Sequence, residues 1–251
     1  MSWLLLLLGC AARSPEAASE PPSWSTEEGV EIARLELVEA LLDAGQPDAA
    51  LHVIREIEAS GVEGATLDVL QAAALRDIGL VEDAEFMLLE ALRKQRRSGD
   101  IHNELGILYM DTQRLDDAIS RFESATKLDK ENPEYANNLG FALMSAGRPG
   151  EAVEVLRTAL RQDATRMRVR NNLGFALVAD ARPDEAYRVF RSSSSEDEAR
   201  YNLGVGLELA GEPSAAEAAY TAALSANPDN ARAQEALERL QSVSPAGDQE
   251  P

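Results

Sequence analysis

Asparagines that recur at a fixed interval are the side chains of this sequence best suited to polar recognition. In one set, Asn103, Asn137 and Asn171 come at intervals of 34 residues. In the other set, one position later in the repeat, Asn138, Asn172 and Asn202 come at intervals of 34 and 30. A side-chain amide donates an N–H and accepts at its C=O, so a row of amides could hold the backbone of an extended peptide. The alternative is that these asparagines cap or bridge neighbouring helices.

Bulky apolar residues occupy two further positions with the same period. Ile107, Phe141, Phe175 and Val205 share one position, Met110 and Met144 share the other, and Tyr201 continues the first asparagine set. A solvent-facing apolar row usually marks a surface that binds a partner. The row therefore predicts a groove for an apolar or extended segment of another protein. The alternative is that the same residues pack against the next helix as core.

Residues that could support catalysis or bind a metal are few. The chain has one cysteine, Cys10, and two isolated histidines, His52 and His102, which is too little for a zinc site. The sequence also lacks a nucleophile elbow, a phosphate loop and a His-Glu-x-x-His motif. We therefore expect no catalytic residue, cofactor, metal or small-molecule substrate. A net charge of −20 further argues against nucleic-acid binding.

The elements that must position these residues follow from an internal repeat. Leu105-Gly106, Leu139-Gly140, Leu173-Gly174 and Leu203-Gly204 come at intervals of 34, 34 and 30, and Ala118, Ala152, Ala186 and Ala216 repeat those intervals. Extending the register towards the amino terminus gives six units: 31–64, 65–98, 99–132, 133–166, 167–196 and 197–230. Each reads as two short helices joined by a turn that often contains glycine, and 231–243 adds a final amphipathic helix.

The units resemble tetratricopeptide repeats. At the motif positions of that family, the third unit carries Leu105, Gly106, Tyr109, Ala118, Phe122 and Ala125. The sixth unit carries Leu203, Gly204, Leu207, Ala216, Tyr220, Ala223 and Pro228. The resemblance implies an all-α fold, a right-handed α-solenoid of about six TPR helix pairs with a C-terminal capping helix. It also implies that the asparagine and apolar positions face a concave groove.

The amino terminus resembles a bacterial lipoprotein signal. Leu7-Leu8-Gly9-Cys10 matches the lipobox pattern, which implies removal of 1–9 and lipidation of Cys10. Two acyl signals hold a protein stably on a membrane. The predicted organisation is then a signal peptide at 1–9, a lipidated cysteine with a flexible tether at 10–29, the array at 30–243 and a disordered tail at 244–251. The alternative is a cytoplasmic protein in which Cys10 is incidental.

A lipoprotein built from such units resembles tight-adherence (Flp/Tad) pilus assembly lipoproteins and type IV pilus pilotins. This resemblance implies a non-enzymatic scaffold at the periplasmic face of the bacterial outer membrane. The membrane contact would be the lipid anchor, and the partner would be a secretin or pilus component. Two alternatives remain, a periplasmic regulator that docks on a cell-wall synthase and a soluble TPR adaptor.

Overall fold

The computed structural model describes residues 27–162 and 165–243, which form helices joined by short turns. Thirteen helices follow one another in this part of the chain: α1 Glu27–Asp43, α2 Pro47–Ala59, α3 Ala65–Asp77, α4 Val81–Lys94, α5 Gly99–Asp111, α6 Leu115–Leu128, α7 Pro133–Ser145, α8 Pro149–Gln162, α9 Met167–Ala179, α10 Pro183–Arg191, α11 Glu196–Leu209, α12 Pro213–Ala226 and α13 Ala231–Val243. They make six pairs and a last single helix, so the predicted all-α solenoid is confirmed. No described helix is both long and apolar enough to cross a bilayer.

The first described residue already belongs to a helix. Helix α1 starts at Glu27, whereas the tether was expected to reach residue 29. The predicted leader 1–9, Cys10, most of the tether and the tail 244–251 lie outside the described residues.

The second helix of most units begins at a proline. Pro47, Pro149, Pro183 and Pro213 each occupy the first position of their helix. Proline suits this position because its missing N–H would be unpaired there in any case. The prolines therefore fix where each second helix starts, and with it the length of the turn before it.

The turn inside each unit requires one residue in the left-handed backbone region. Glycine supplies it in four units, with φ between 66° and 85°: Gly45, Gly79, Gly147 and Gly211. In the third and fifth units the same position holds Gln113 at φ 60° and Ala181 at φ 57°. A side chain disfavours this conformation, whereas glycine does not.

We expect Gln113→Gly and Ala181→Gly each to raise the free energy of unfolding by about 1 kcal/mol, because the strain of a left-handed Cβ is relieved. Urea unfolding followed by circular dichroism measures the change. Gly147→Ala is the matched reverse variant and should lower stability by a similar amount. Equal stability of Ala181→Gly and the parent chain would contradict this account of the turns.

Within a unit, residues 16 positions apart pack by complementary size. A Cβ added at Gly106 would lie 2.5 Å from the ring of Phe122, and one at Gly174 would lie 2.3 Å from the ring of Phe190. Gly140 with Leu156 and Gly204 with Tyr220 repeat this contact. The second unit has Ala72 and Leu88 at these positions, both fully buried. A large side chain on the second helix thus requires glycine or alanine at the paired position of the first helix.

Neighbouring units share a continuous apolar core. One cluster of buried residues extends from Ala72 in α3 to Ala236 in α13, and a smaller cluster joins α1, α2 and α3. Stacking is what buries the faces of these short helix pairs, as in other repeat proteins. Helix α10 has 9 residues, whereas the second helices of the other units have 13 or 14. This confirms that the fifth unit is shortened in its second helix.

Helix α13 is docked by polar contacts as well as by apolar ones. Asp197 in α11 accepts hydrogen bonds from Asn227 Nδ2 and Asn230 Nδ2 at 3.0 and 2.9 Å. Hydrogen bonds from Ser195 and these two amides lower the pKa of Asp197 to about 2. Arg232 pairs with Glu198 at 3.2 Å. The loop before α13 is therefore tied to the start of α11, which orients α13 as the cap of the array.

Candidate functional site

Four of the recurring asparagines form bridges between neighbouring units. Asn138 Nδ2 donates to Asn103 Oδ1 at 2.9 Å, and Asn172 Nδ2 donates to Asn137 Oδ1 at 2.7 Å. Each bridge joins the first helices of two successive units. Asn137 is only 3% exposed, so it has little surface to offer a partner and serves here to join α7 to α9.

The asparagine bridges stop after the fifth unit. Asn171 and Asn202 are 31 residues apart instead of 35, because the fifth unit is short. Among the hydrogen bonds of the described residues, none joins these two amides. Both side chains are half-buried, and both retain the capacity to donate and accept.

An apolar cavity opens on the first helices of the fourth, fifth and sixth units. Its volume is about 520 Å³, and we call it the apolar pocket. It is lined by uncharged residues of α7, α9 and α11 and of the turn after α11: Phe141, Met144, Ser145, Asn172, Phe175, Ala179, Gly206, Leu209 and Ala210. Phe141 is 53% exposed and Leu209 is 79% exposed. Single exposed apolar side chains are common on protein surfaces, but several that line one cavity form a contiguous patch of the kind that binds a partner.

Local packing fixes the floor of the apolar pocket. Phe175 is half-buried and meets the buried ring of Phe190 edge-on, with 5.4 Å between ring centroids. Gly206 lies directly against this region, since a Cβ there would be 3.0 Å from Val178 and 3.4 Å from Phe175. Helices α9 and α11 can approach closely only because Gly206 has no side chain. The pocket is therefore built on ordered helices and not on loops.

The apolar pocket contains four of the predicted partner-binding residues, Phe141, Met144, Asn172 and Phe175. The others lie on the same helix faces without lining it. Asn103, Ile107 and Met110 are half-buried on α5, one unit before the pocket. Asn202 and Val205 are half-buried on α11. Tyr201 is already engaged, with the Arg232 guanidinium 4.9 Å from its ring and the Tyr220 ring 5.8 Å away.

Five lining residues were missed from the sequence: Ser145, Ala179, Gly206, Leu209 and Ala210. Three of them share one repeat position, the last residue of the first helix, at Ser145, Ala179 and Leu209. The same position in the first three units holds Asp43, Asp77 and Asp111. The period of 34 residues would have identified this series, which runs from acidic to apolar along the array.

A cluster of charged groups lies on the face of α3 and α5, beside the asparagine bridges. Arg76 Nε donates to Glu104 Oε1 at 3.1 Å, and its two terminal nitrogens contact Asp111 at 3.0 Å and Asp77 at 3.3 Å. Burial raises the pKa of Glu104 from its ordinary value, while the charge of Arg76 acts in the opposite direction. Three carboxylates thus surround one guanidinium, and the cluster is acidic.

Groups suited to bind a metal do not come together in residues 27–162 and 165–243, where no cluster of three or more His, Cys, Asp or Glu side chains has that arrangement. His52 is exposed and lies 3.5 Å from Glu56 on its own helix. Burial and the nearby Arg121 lower the pKa of His102. Neither histidine lines the apolar pocket.

The helix pairs and their contacts agree with a family profile. The sequence profile described as tetratricopeptide repeat matches residues 35–101, 103–166 and 172–231. These segments cover most of the chain. This chain belongs to the tetratricopeptide repeat family. The resemblance seen in the six units is thereby confirmed, and the repeat fold is that of a protein–protein interaction scaffold.

Solved tetratricopeptide repeat structures share the fold at low sequence identity. YrrB, described as a TPR protein with an unusual peptide-binding site, aligns with a TM-score of 0.54 and 23% identity over 73% of this chain and 96% of its own. Pseudomonas aeruginosa pilF aligns with a TM-score of 0.60 and 17% identity over 84% of this chain and 98% of its own. Comparison with curated proteins finds none that matches significantly.

Proposed function

We propose that this tetratricopeptide repeat protein holds an apolar segment of a protein partner in the apolar pocket. The observation that supports this most directly is the exposure of Phe141 and Leu209 on opposite sides of one uncharged cavity. Covering a Phe or Leu side chain contributes about 1.5–3 kcal/mol. Two such side chains, with the half-buried Phe175 between them, provide enough apolar surface to anchor a short segment.

Polar groups at the edge of the apolar pocket suit a peptide backbone. Asn172 lines the pocket and uses one amide proton to reach Asn137, which leaves its oxygen and second proton available. Asn202 on the next helix keeps its full hydrogen-bonding capacity. A bound segment could therefore satisfy its backbone at these amides while its side chains cover the rings. Apolar contacts would supply affinity and the amides would supply orientation.

We further propose that the protein acts from the outer membrane, lipid-anchored at Cys10, in the assembly of a pilus or secretin. The support for this is the lipobox-like Leu7-Leu8-Gly9-Cys10 and the resemblance of the units to pilus-associated lipoproteins. A tether after the lipid would allow the array to reach a channel subunit near the membrane. A regulator of a cell-wall synthase and a soluble adaptor remain the competing assignments.

Photo-crosslinking in a bacterial host tests this proposal. A photoreactive phenylalanine analogue placed at Phe141 or at Leu209 should yield one common adduct, and identification of the captured protein distinguishes a secretin or pilus subunit from a cell-wall synthase. The matched control is the same analogue at Phe86, which is 68% exposed but lies on second helix α4, away from the pocket. Equal capture at Phe86 and at Phe141 would contradict a specific pocket.

Membrane fractionation of the same cells tests the anchor. The parent protein should be found in the outer-membrane fraction with the mass of residues 10–251 plus acyl chains, and Cys10→Ala should remove both. An unprocessed soluble parent chain would contradict the lipoprotein proposal while leaving the crosslinking result at Phe141 informative.

A further inference from the structure

The last residues of the first helices form a graded series along the array. They read Asp43, Asp77, Asp111, Ser145, Ala179 and Leu209 from the first unit to the sixth. The first three are acidic, and the last three line the apolar pocket. We call Asp43, Asp77 and Asp111 the acidic ridge. This series of helix ends is therefore divided into an acidic half and an apolar half.

The acidic ridge costs stability at each helix end. A carboxylate at the C-terminus of a helix opposes the helix dipole, typically by about 0.3–1 kcal/mol. Arg76 offsets part of this cost because it contacts Asp77 and Asp111, but its guanidinium also pairs with Glu104. No cation pairs with Asp43 among the described residues. Residues that break a local rule in successive units are expected where function requires them.

The apolar end of the series carries no such charge. Glu208, next to Leu209, accepts hydrogen bonds from Tyr220 at 2.9 Å and from Arg239 at 2.8 Å, so its carboxylate is compensated by an adjacent cation. Arg148, after Ser145, is paired with Glu151 at 2.7 Å. On the side of the first three units, by contrast, Asp77 and Asp111 share one guanidinium with Glu104, so that carboxylates outnumber cations there.

Resting on the proposed function, we infer that the partner segment is bipartite, with a basic cluster beside its apolar anchor. Its apolar side chains cover Phe141, Phe175 and Leu209, and its lysines or arginines face Asp77 and Asp111. Complementary charge of this kind fixes register and raises the rate of association. An anionic segment would be repelled by the same surface, so the acidic ridge also disfavours partners whose binding segment is acidic.

The spacing between the two halves sets the length of the segment. Adjacent packed helices are roughly 8–10 Å apart, and two such steps lead from α5, which carries Asp111, to α9, which carries Phe175. An extended chain rises about 3.3 Å per residue. The basic and apolar clusters of an extended partner should therefore be separated by roughly six residues.

Three synthetic peptides test this inference by fluorescence anisotropy. All share an apolar block of Leu and Phe, followed by a Gly-Ser spacer and a third block. The third block consists of lysine, glutamate or serine, and each peptide is made with its blocks in both orders. We expect the lysine peptide to bind about tenfold more tightly than the serine peptide, with the difference shrinking as salt is raised. The glutamate peptide should bind most weakly.

Protein variants locate the effect on the acidic ridge. Asp77→Asn/Asp111→Asn should reduce binding of the lysine peptide to the level of the serine peptide and leave the serine peptide unchanged. Asp116→Asn/Asp184→Asn, on the exposed second helices, is the matched control and should change neither. Asp111→Asn alone, which leaves the contact of Asp77 with Arg76 in place, should reduce binding of the lysine peptide by an intermediate amount, which keeps the test valid if the double variant unfolds.

The outcomes separate the two proposals. Equal binding of lysine and serine peptides, or equal effects of the ridge and control variants, would overturn the charge inference and leave the apolar pocket standing. Failure of every peptide to bind, the serine peptide included, would overturn both proposals, because the apolar anchor itself would then be absent.

Discussion

Gly174→Ala is expected to lower the free energy of unfolding by about 2 kcal/mol, although alanine normally stabilises a helix. The added Cβ would lie 2.3 Å from two ring atoms of Phe190, which is fully enclosed and cannot move aside. Overpacking of this kind costs about 1–3 kcal/mol or more, against a gain of about 1 kcal/mol from helix propensity. Urea unfolding followed by circular dichroism measures the net effect.

A double-mutant cycle shows whether the Phe190 ring is the cause. Phe190→Leu in the Gly174→Ala background recreates the alanine–leucine pair that the second unit has at Ala72 and Leu88. The two changes should then cost less together than their sum, with a coupling energy of about 1–2 kcal/mol. Gly150→Ala is the matched control, because a Cβ there meets only Asp180 at 3.3 Å. Additive costs would contradict the size-complementarity of the units.

Phe141→Glu/Leu209→Glu is expected to weaken binding of the partner captured at the pocket by at least about 100-fold. Both side chains project into the apolar pocket, so the variant removes two anchors and places carboxylates where an apolar segment must sit. Their exposure of 53% and 79% means that the fold should tolerate the change. Affinity is measured by titration with the captured partner or, in its absence, with the apolar–serine peptide.

The control for this experiment is Phe86→Glu, an equally drastic change at an exposed phenylalanine of α4. It should leave the affinity unchanged, and melting curves of both variants should resemble that of the parent protein. If Phe141→Glu/Leu209→Glu binds as tightly as Phe86→Glu, the pocket is not the binding surface.

The helical array could be predicted from the sequence because its determinants are local and periodic. The Leu-Gly pairs, the alanines and the prolines specify helix length, helix start and close pairing without reference to distant residues. The turns show the limit of prediction from local sequence. The residue types Gln113 and Ala181 do not by themselves indicate a left-handed backbone. Only their position in the 34-residue register, which glycine occupies in the other units, does so.

The candidate site was predictable only in part, since it depends on distances between units. The register placed Phe141 and Phe175 on one face, and both line the apolar pocket. It could not show that Asn103 and Asn138 approach to 2.9 Å and bridge two units. Leu209 was missed because its position is acidic in earlier units, so its role appears only when the whole series is compared. The pairing of Arg76 with Glu104 likewise requires three-dimensional contact.

The end of the asparagine bridges at the shortened fifth unit has a mechanical consequence. Helices α7 and α9 are clamped together by Asn137 and Asn172, whereas α11 is joined to the fifth unit by apolar packing and by the stacking of Arg200 over Tyr187. Among the described residues, an asparagine bridge therefore joins the two helices on one side of the pocket, α7 and α9, and no such bridge joins α9 to α11. A change in the distance between α9 and α11 would therefore break none of the asparagine bridges.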